Sequence, residues 1–208
     1  MTAKVILLSS DSEASFLKKA LAPHIKNCTI AIAHNISQLD TIAQKGDRLI
    51  SFLSPFIVPE KILKRLQYNC YNFHPASPDY PGYQPASFAI YENKMNFGAT
   101  FHQMFKKIDS GPIIKVNYFK IKKEWNYIDL SKESFIASVK LFIELAPLIA
   151  NINFSFKENG KEWGHNKYTS KDYDTKRCIP SDTSFVEIER RFKAFEGIFS
   201  SLEKDNPC

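Results

Sequence analysis

Short apolar runs alternate with amphipathic stretches through the first third of the chain. Lys4 to Leu8 reads as a β-strand, and Asp11 and Ser12 supply N-cap chemistry for a helix to about Leu21, which Pro23 ends. Thr29 to Ala33 is a second apolar run, followed by a capped helix over Asn35 to Leu39. Arg48 to Leu53 makes a third strand, Pro59 to Leu66 a third helix and Cys70 to Phe73 a fourth strand. Strands alternating with helices imply βαβ units, hence an α/β, doubly wound fold with a mostly parallel, twisted sheet flanked by helices. In such sheets ligands bind beyond the carboxyl ends of the strands.

After residue 74 the texture changes. His74 to Gln84 holds three prolines, one glycine and two tyrosines, too rigid and irregular for helix or strand. Pro85 to Glu92 reads as a helix with proline in its first turn, Phe97 to Phe105 alternates as a strand does, and Pro112 to Ile121 gives another strand. Ser131 to Ala150 is the strongest helix, with Phe135, Val139, Phe142, Ile143, Leu145 and Leu148 on a broad apolar face. From Asn151 the chain turns polar and aromatic, with Trp163, Tyr168 and Tyr173, and Ser184 to Leu202 closes it as an amphipathic helix. The expected division is a main domain over 1–150 and a small C-terminal extension over 151–208.

Composition adds mainly exclusions. The 208 residues carry 28 basic and 22 acidic side chains, a net charge of +6, with 44% hydrophobic residues. That is ordinary for one soluble globular domain. No run approaches the roughly 18 to 20 apolar residues of a membrane span, and the first run stops at Asp11, too soon for a signal peptide. A cytoplasmic protein without membrane contact is expected. Cys28 and Cys70 sit in apolar runs and read as buried thiols; the four cysteines show no ligand spacing, so no metal is expected.

The informative stretch runs from Asn72 through His74 and Pro75 to Gly82. Asn72 and His74 lie two apart at a strand end and so share a face. Asp109, in Ile108-Asp109-Ser110-Gly111-Pro112, occupies a tight turn between two strands. Each alone has an ordinary reading as a turn or strand-end residue. Together, an amide, an imidazole and a carboxylate at the carboxyl ends of neighbouring strands are parts for acyl transfer: the first two hold an oxyanion, and the third orients the histidine and moves a proton.

Asn72-Phe73-His74-Pro75, Tyr80-Pro81-Gly82, Gly98-Ala99-Thr100-Phe101-His102 and Asp109-Ser110-Gly111-Pro112 occur in an order that resembles the 10-formyltetrahydrofolate-dependent formyltransferases. That family includes methionyl-tRNA formyltransferase, glycinamide ribonucleotide transformylase and sugar N-formyltransferases. Ser54 to Pro59 is similar to its pterin-wrapping loop, and Glu187 to Phe195 to a helix that follows its catalytic domain. The resemblance implies a Rossmann-like formyltransferase fold with 10-formyltetrahydrofolate as co-substrate. It makes Asn72, His74 and Asp109 catalytic, Asp109 pairing with His74 through water. It places the pterin against Phe56, Ile57, Val58, Ile108 and the turn at Asp109, and puts Thr100, His102, Tyr83 and Gln84 in supporting or acceptor-side positions.

Departures bear on the acceptor. The loop after His74-Pro75 is one residue short, and Pro81 stands where the transfer-RNA and sugar branches favour arginine. Ser9 to Glu13 has no glycine and two acids, a poor phosphate cradle for the purine-type acceptor. The resemblance implies a further C-terminal barrel domain in the transfer-RNA branch, and with 208 residues none is expected here. Lys106, Lys107, Lys115, Lys120, Lys122 and Lys123 surround Asp109 in sequence, either a solvated surface or a rim that attracts an anionic partner. The favoured acceptor is therefore a small anionic amine, a nucleotide-linked amino sugar. Glycinamide ribonucleotide, methionyl-tRNA and a folate-binding regulatory domain without turnover stand as alternatives. Nucleic acid is not the expected partner, and a homodimer is compatible with the chain.

Overall fold

The structure is a computed structural model that describes residues 2–199. Its elements are β1 (Lys4–Leu8), α1 (Asp11–Leu21), β2 (Thr29–Ala33), α2 (Ile36–Ile42), β3 (Arg48–Phe52), α3 (Glu60–Arg65), β4 (Cys70–His74), α4 (Pro85–Tyr91), β5 (Asn96–Gln103), β6 (Ile113–Lys120), α5 (Tyr127–Ala150), α6 (Ser170–Arg177), β7 (Cys178–Ile179), α7 (Phe185–Phe195) and β8 (Ile198–Phe199). The main sheet runs β2-β1-β3-β4-β5-β6. Its first four strands are parallel, and β5 and β6 continue it antiparallel. The expected α/β architecture is present, and no helix among the described residues is long and apolar enough to cross a membrane.

Strand alternation sorts the core into two faces. Val5, Leu7, Ile50, Phe52, Tyr71, Phe73, Ala99 and Phe101 pack under α1 and α5, against Leu17, Leu21, Leu141, Phe142, Leu145 and Ile149. On the other face Ile6, Leu8, Leu49 and Cys70 meet Leu39 of α2 and Ile62 and Leu63 of α3. Over β4 and β5 that second face carries Asn72, His74, Thr100 and His102, and loops cover it. Cys28 and Cys70 are buried free thiols.

Three elements differ from expectation. Helix α5 starts at Tyr127, because Asn126 and Asp129 form a reciprocal capping box a turn upstream of Ser131. Its buried stripe is Leu130, Ser134, Ala137, Ser138, Leu141, Phe142, Leu145, Ala146 and Ile149, while Phe135, Ile143 and Leu148 face outward. Small residues let the helix lie close to the sheet, and apolar residues on more than one side of it leave periodicity unable to choose the buried face. Helix α7 stops at Phe195, where Glu196 turns left-handed (φ 51°); the expected end at Leu202 lies outside the described residues. Helix α6 was not anticipated, although Thr169 and Asp172 form a capping box of the same kind.

The segment after Ala150 is anchored by Arg48, which is 1% exposed. Its guanidinium meets no carboxylate. It donates to Asn69 Oδ1 and to the carbonyls of Leu148, Ile149, Asn151, Ile152 and Phe154, between the rings of Tyr71 and Phe156. These carbonyls include the orphan acceptors of the α5 terminus, the negative end of its dipole. Arg48→Met leaves them buried without a donor and is expected to cost about 3 kcal/mol or more in urea unfolding. Arg48→Lys is expected to recover only part of this, since a compact ammonium cannot span the set. A loss near zero for Arg48→Met would contradict the anchoring role.

Candidate active site

The site grows from the polar stripe on β4 and β5. Phe73 points into the core, so Asn72 and His74 point to the opposite face. The antiparallel register sets His102 beside Asn72 and Thr100 beside His74. The buried Thr100 hydroxyl donates to Ala76 O at 2.6 Å and fixes the loop that leaves His74.

The hydrogen bonds assign the ring nitrogens. His102 Nδ1–H donates to Gln103 O at 2.9 Å, which leaves Nε2 to accept from the Asn72 amide at 3.2 Å. His74 Nε2–H donates to Tyr80 O at 2.8 Å, so Nδ1 is the nitrogen that faces the site. Asp109 Oδ2 lies 3.7 Å from His74 Nδ1, an ion-pair rather than a hydrogen-bond distance, and Oδ1 lies 3.5 Å from His102 Nε2. Gly82 N–H donates to Asp109 Oδ2 at 2.9 Å.

Asp109 reaches this position by an indirect route. Because β5 runs against β4, the loop after Gln103 begins at the amino end of β4, where Met104 N–H bonds Cys70 O at 2.8 Å. The loop then folds back over the sheet face, with Asp109 in a left-handed conformation (φ 45°). The expectation that all three groups sit at carboxyl ends of strands therefore holds for β4 alone. Burial pushes the Asp109 carboxyl up, but the neighbouring His74 and His102 and the Gly82 N–H outweigh it. They hold it well below the usual carboxylate range.

The other expected residues divide. Phe56 and Ile57 are exposed, whereas Val58 is buried in the core beside Ile62 and Leu63. A cavity of about 530 Å³ flanks the Asp109 loop, lined by Tyr68, Gln103, Phe105, Lys106, Lys107 and Ser110 and by none of residues 56–58. Ile108 is partly exposed. Tyr83 and Gln84 are exposed at the start of α4, with Tyr83 edge-on to Tyr173. The lysines do not form one rim. Lys106 pairs with Glu60, Lys115 with Glu144, and Lys120 lies at the far end of β6, roughly 24 Å along the strand from Ile113.

Sequence reasoning missed the segment that closes over these groups. The Trp163 ring stands edge-on to His102 at 4.8 Å and to His74 at 5.8 Å, and its Nε1–H donates to Gly111 O at 2.8 Å. Lys167 Nζ donates to Ile108 O at 2.6 Å. Tyr168 stacks on Phe88 at 3.8 Å. The available signal was a lone tryptophan beside glycine in an otherwise solvated stretch.

Residues 49–144 match the family model described as formyl transferase. Among curated proteins, the chain is similar to the methionyl-tRNA formyltransferase of Wolbachia sp. subsp. Drosophila simulans, 36% identical over 194 residues, 88% of this chain and 65% of the relative. It is also similar to the bifunctional polymyxin resistance protein ArnA of Wigglesworthia glossinidia brevipalpis, 29% identical over 138 residues, 65% of this chain and 21% of the relative. The chain thus spans less than two thirds of these relatives' length. A solved 4-N formyltransferase from Francisella tularensis matches with a TM-score of 0.76 at 20% identity, covering 92% of this chain and 87% of that one. An N-formyltransferase from Helicobacter canadensis, solved with folinic acid and dTDP-3-aminofucose, matches at 0.73 and 19%, covering 97% and 85%. At these identities the structural likeness is one of fold.

The lowered Asp109 pKa fixes a sign. The unfolded carboxyl titrates near its ordinary value of about 3.9, and the folded one below it, so the stabilisation is complete above that value and is lost as pH falls through the folded pKa. In urea unfolding, the stability gap between wild type and Asp109→Asn is expected to be widest near neutral pH and to shrink in acid. A gap that grows as pH falls would contradict the assignment.

Proposed function

We propose that this chain, whose residues 49–144 match the formyl transferase family model, moves a formyl group from 10-formyltetrahydrofolate to an amine. The observation that carries the reading is the convergence of Asn72, His74 and Asp109 on one polar face of β4 and β5. The amine attacks the formyl carbon, and the carbonyl oxygen becomes an oxyanion. The second N–H of the Asn72 amide and the Nδ1–H of a protonated His74 are the donors for it, since the first Asn72 N–H is engaged by His102 and Nε2–H of His74 by Tyr80 O. The ammonium formed on attack loses a proton, the folate nitrogen gains one, and the carbon–nitrogen bond to the folate breaks. Asp109 steers that proton and orients His74. The carboxyl is held below the usual carboxylate range by the two histidines and the Gly82 N–H, so it faces them as an anion.

The folate half is supported by the mixed apolar and cationic lining of the cavity beside the Asp109 loop, which suits an aromatic body with a carboxylate tail. For the acceptor, the reading is a nucleotide-linked amino sugar, supported by the fold shared with the Helicobacter canadensis N-formyltransferase solved with dTDP-3-aminofucose, over 85% of that chain. Methionyl-tRNA is the second reading, favoured by the 36% identity to a methionyl-tRNA formyltransferase.

The test is formyl transfer from 10-formyltetrahydrofolate to a panel of nucleotide-linked amino sugars, methionyl-tRNA and glycinamide ribonucleotide. Transfer to an amino sugar is expected. Preference for methionyl-tRNA overturns the acceptor, and folate binding without transfer to any amine overturns the activity. On the working acceptor, His74→Ala and Asp109→Asn are each expected to lower turnover by roughly 100-fold or more. Near-normal turnover in either variant would remove that residue from the mechanism.

A further inference from the structure

The segment from Trp163 to Tyr168 touches the Asp109 turn on both sides of Asp109. Trp163 Nε1–H donates to the carbonyl of Gly111, two residues after it, and Lys167 Nζ to that of Ile108, one residue before it. Between these two bonds Asp109 is held at φ 45°, a conformation that a residue with a side chain adopts only when its surroundings impose it. Gly111 itself has no room for a side chain, since an added Cβ would lie 2.0 Å from Gln103 O. The turn therefore presses against β5 on one side and is gripped from the other.

The same segment is seated on the loop that supplies the Asp109 partner Gly82. Gly164 N–H bonds Pro78 O at 2.9 Å, Tyr83 N–H bonds Tyr168 O at 2.9 Å, and Gly82 forms a bridge with Tyr168. Two glycines permit the approach. A Cβ on Gly164 would meet Asp79 O at 2.5 Å, and one on Gly82 would meet Tyr168 O at 2.3 Å. The Tyr80 and Tyr168 hydroxyls both donate to Glu92, which ties loop and segment to the end of α4.

We propose that Trp163 and Lys167 are positioning residues for formyl transfer, a two-point clamp that sets the Asp109 carboxylate against His74 and His102. The proposal rests on the reading of Asn72, His74 and Asp109 as the transfer machinery. The two bonds hold the turn on either side of Asp109, and substitutions that keep the Trp163 ring against His74 and His102 isolate that effect, which is expected in the chemical step more than in folate binding.

The decisive measurement is a double-mutant cycle. Trp163→Phe, which keeps a ring and loses the N–H, and Lys167→Met, at an exposed position, are each expected to lower kcat about 10- to 100-fold with the KM for 10-formyltetrahydrofolate little changed. Lys167→Arg restores most of the loss. In an Asp109→Asn background the same substitutions are expected to change kcat by less than about twofold, because the group they position has already been removed. An undiminished loss in that background, or a loss confined to KM, overturns the clamp. If the wild type transfers formyl to no amine, the functional reading fails separately, and the contact is judged by exchange. In Trp125→Phe protein the single remaining indole N–H belongs to Trp163 and is expected to exchange slowly with solvent. Fast exchange overturns the clamp whatever the activity.

Discussion

The chain leaving α5 is organised around one buried cation. Arg48 enters the interior at the first residue of β3, and among the described residues no carboxylate pairs with it. A guanidinium in that position must be solvated by the protein, and carbonyls at a helix terminus are the strongest neutral acceptors available. Meeting that requirement decides where α5 stops and how the chain leaves it. Asn151, Ile152 and Phe154 are drawn around the guanidinium, Phe156 is laid on Tyr71 and Phe101, and Asn159 N–H bonds Ile113 O at the start of β6. From there the chain has only a few residues to travel before Trp163 meets the histidines. A solvation constraint at the sheet's amino end thus aims a segment that closes the site on its opposite face.

The site exists because the sheet changes direction. Over β1 and β3, crossover helices cover the second face, where Ile6, Leu8 and Leu49 are buried. No crossover helix is required between β4 and the antiparallel β5, and the face they share is left for polar side chains. Register then does the pairing: residues opposite one another lie about 5 Å apart, close enough for Asn72 to meet His102 without any special loop. The carboxylate is different, since it comes from a loop that must turn back across the face. That part of the constellation needs a left-handed residue, a glycine pressed on backbone and outside support.

This contrast explains what could be read from the sequence. Short apolar runs marked the first strands, and period-two alternation put Asn72 and His74 on one face, because these inferences need only local patterns. The motif order brought Asp109 in by resemblance, but nothing local says that its loop reverses over the sheet. The face of α5 was misjudged for a physical reason: Phe135 and Ile143 are as apolar as Leu141 and Phe142, and close approach to the sheet favoured the side with Ser134, Ala137 and Ser138. Trp163 and Lys167 were illegible because their partners are backbone carbonyls, which carry no sequence signature.

The hydrogen bonds also limit which chemistry each imidazole can perform. A neutral imidazole has one donor, and both rings commit it to a backbone carbonyl, His74 through Nε2 to Tyr80 and His102 through Nδ1 to Gln103. The free nitrogens therefore start as acceptors, and each gains a second donor only by protonation. Asp109 faces both of them, so protonation of either ring places its new N–H toward a carboxylate that is already ionised. For His102 that proton competes with the Asn72 amide, which needs Nε2 as an acceptor. For His74 it competes with nothing. The two rings share a carboxylate, yet only His74 can become cationic without disturbing the amide beside it.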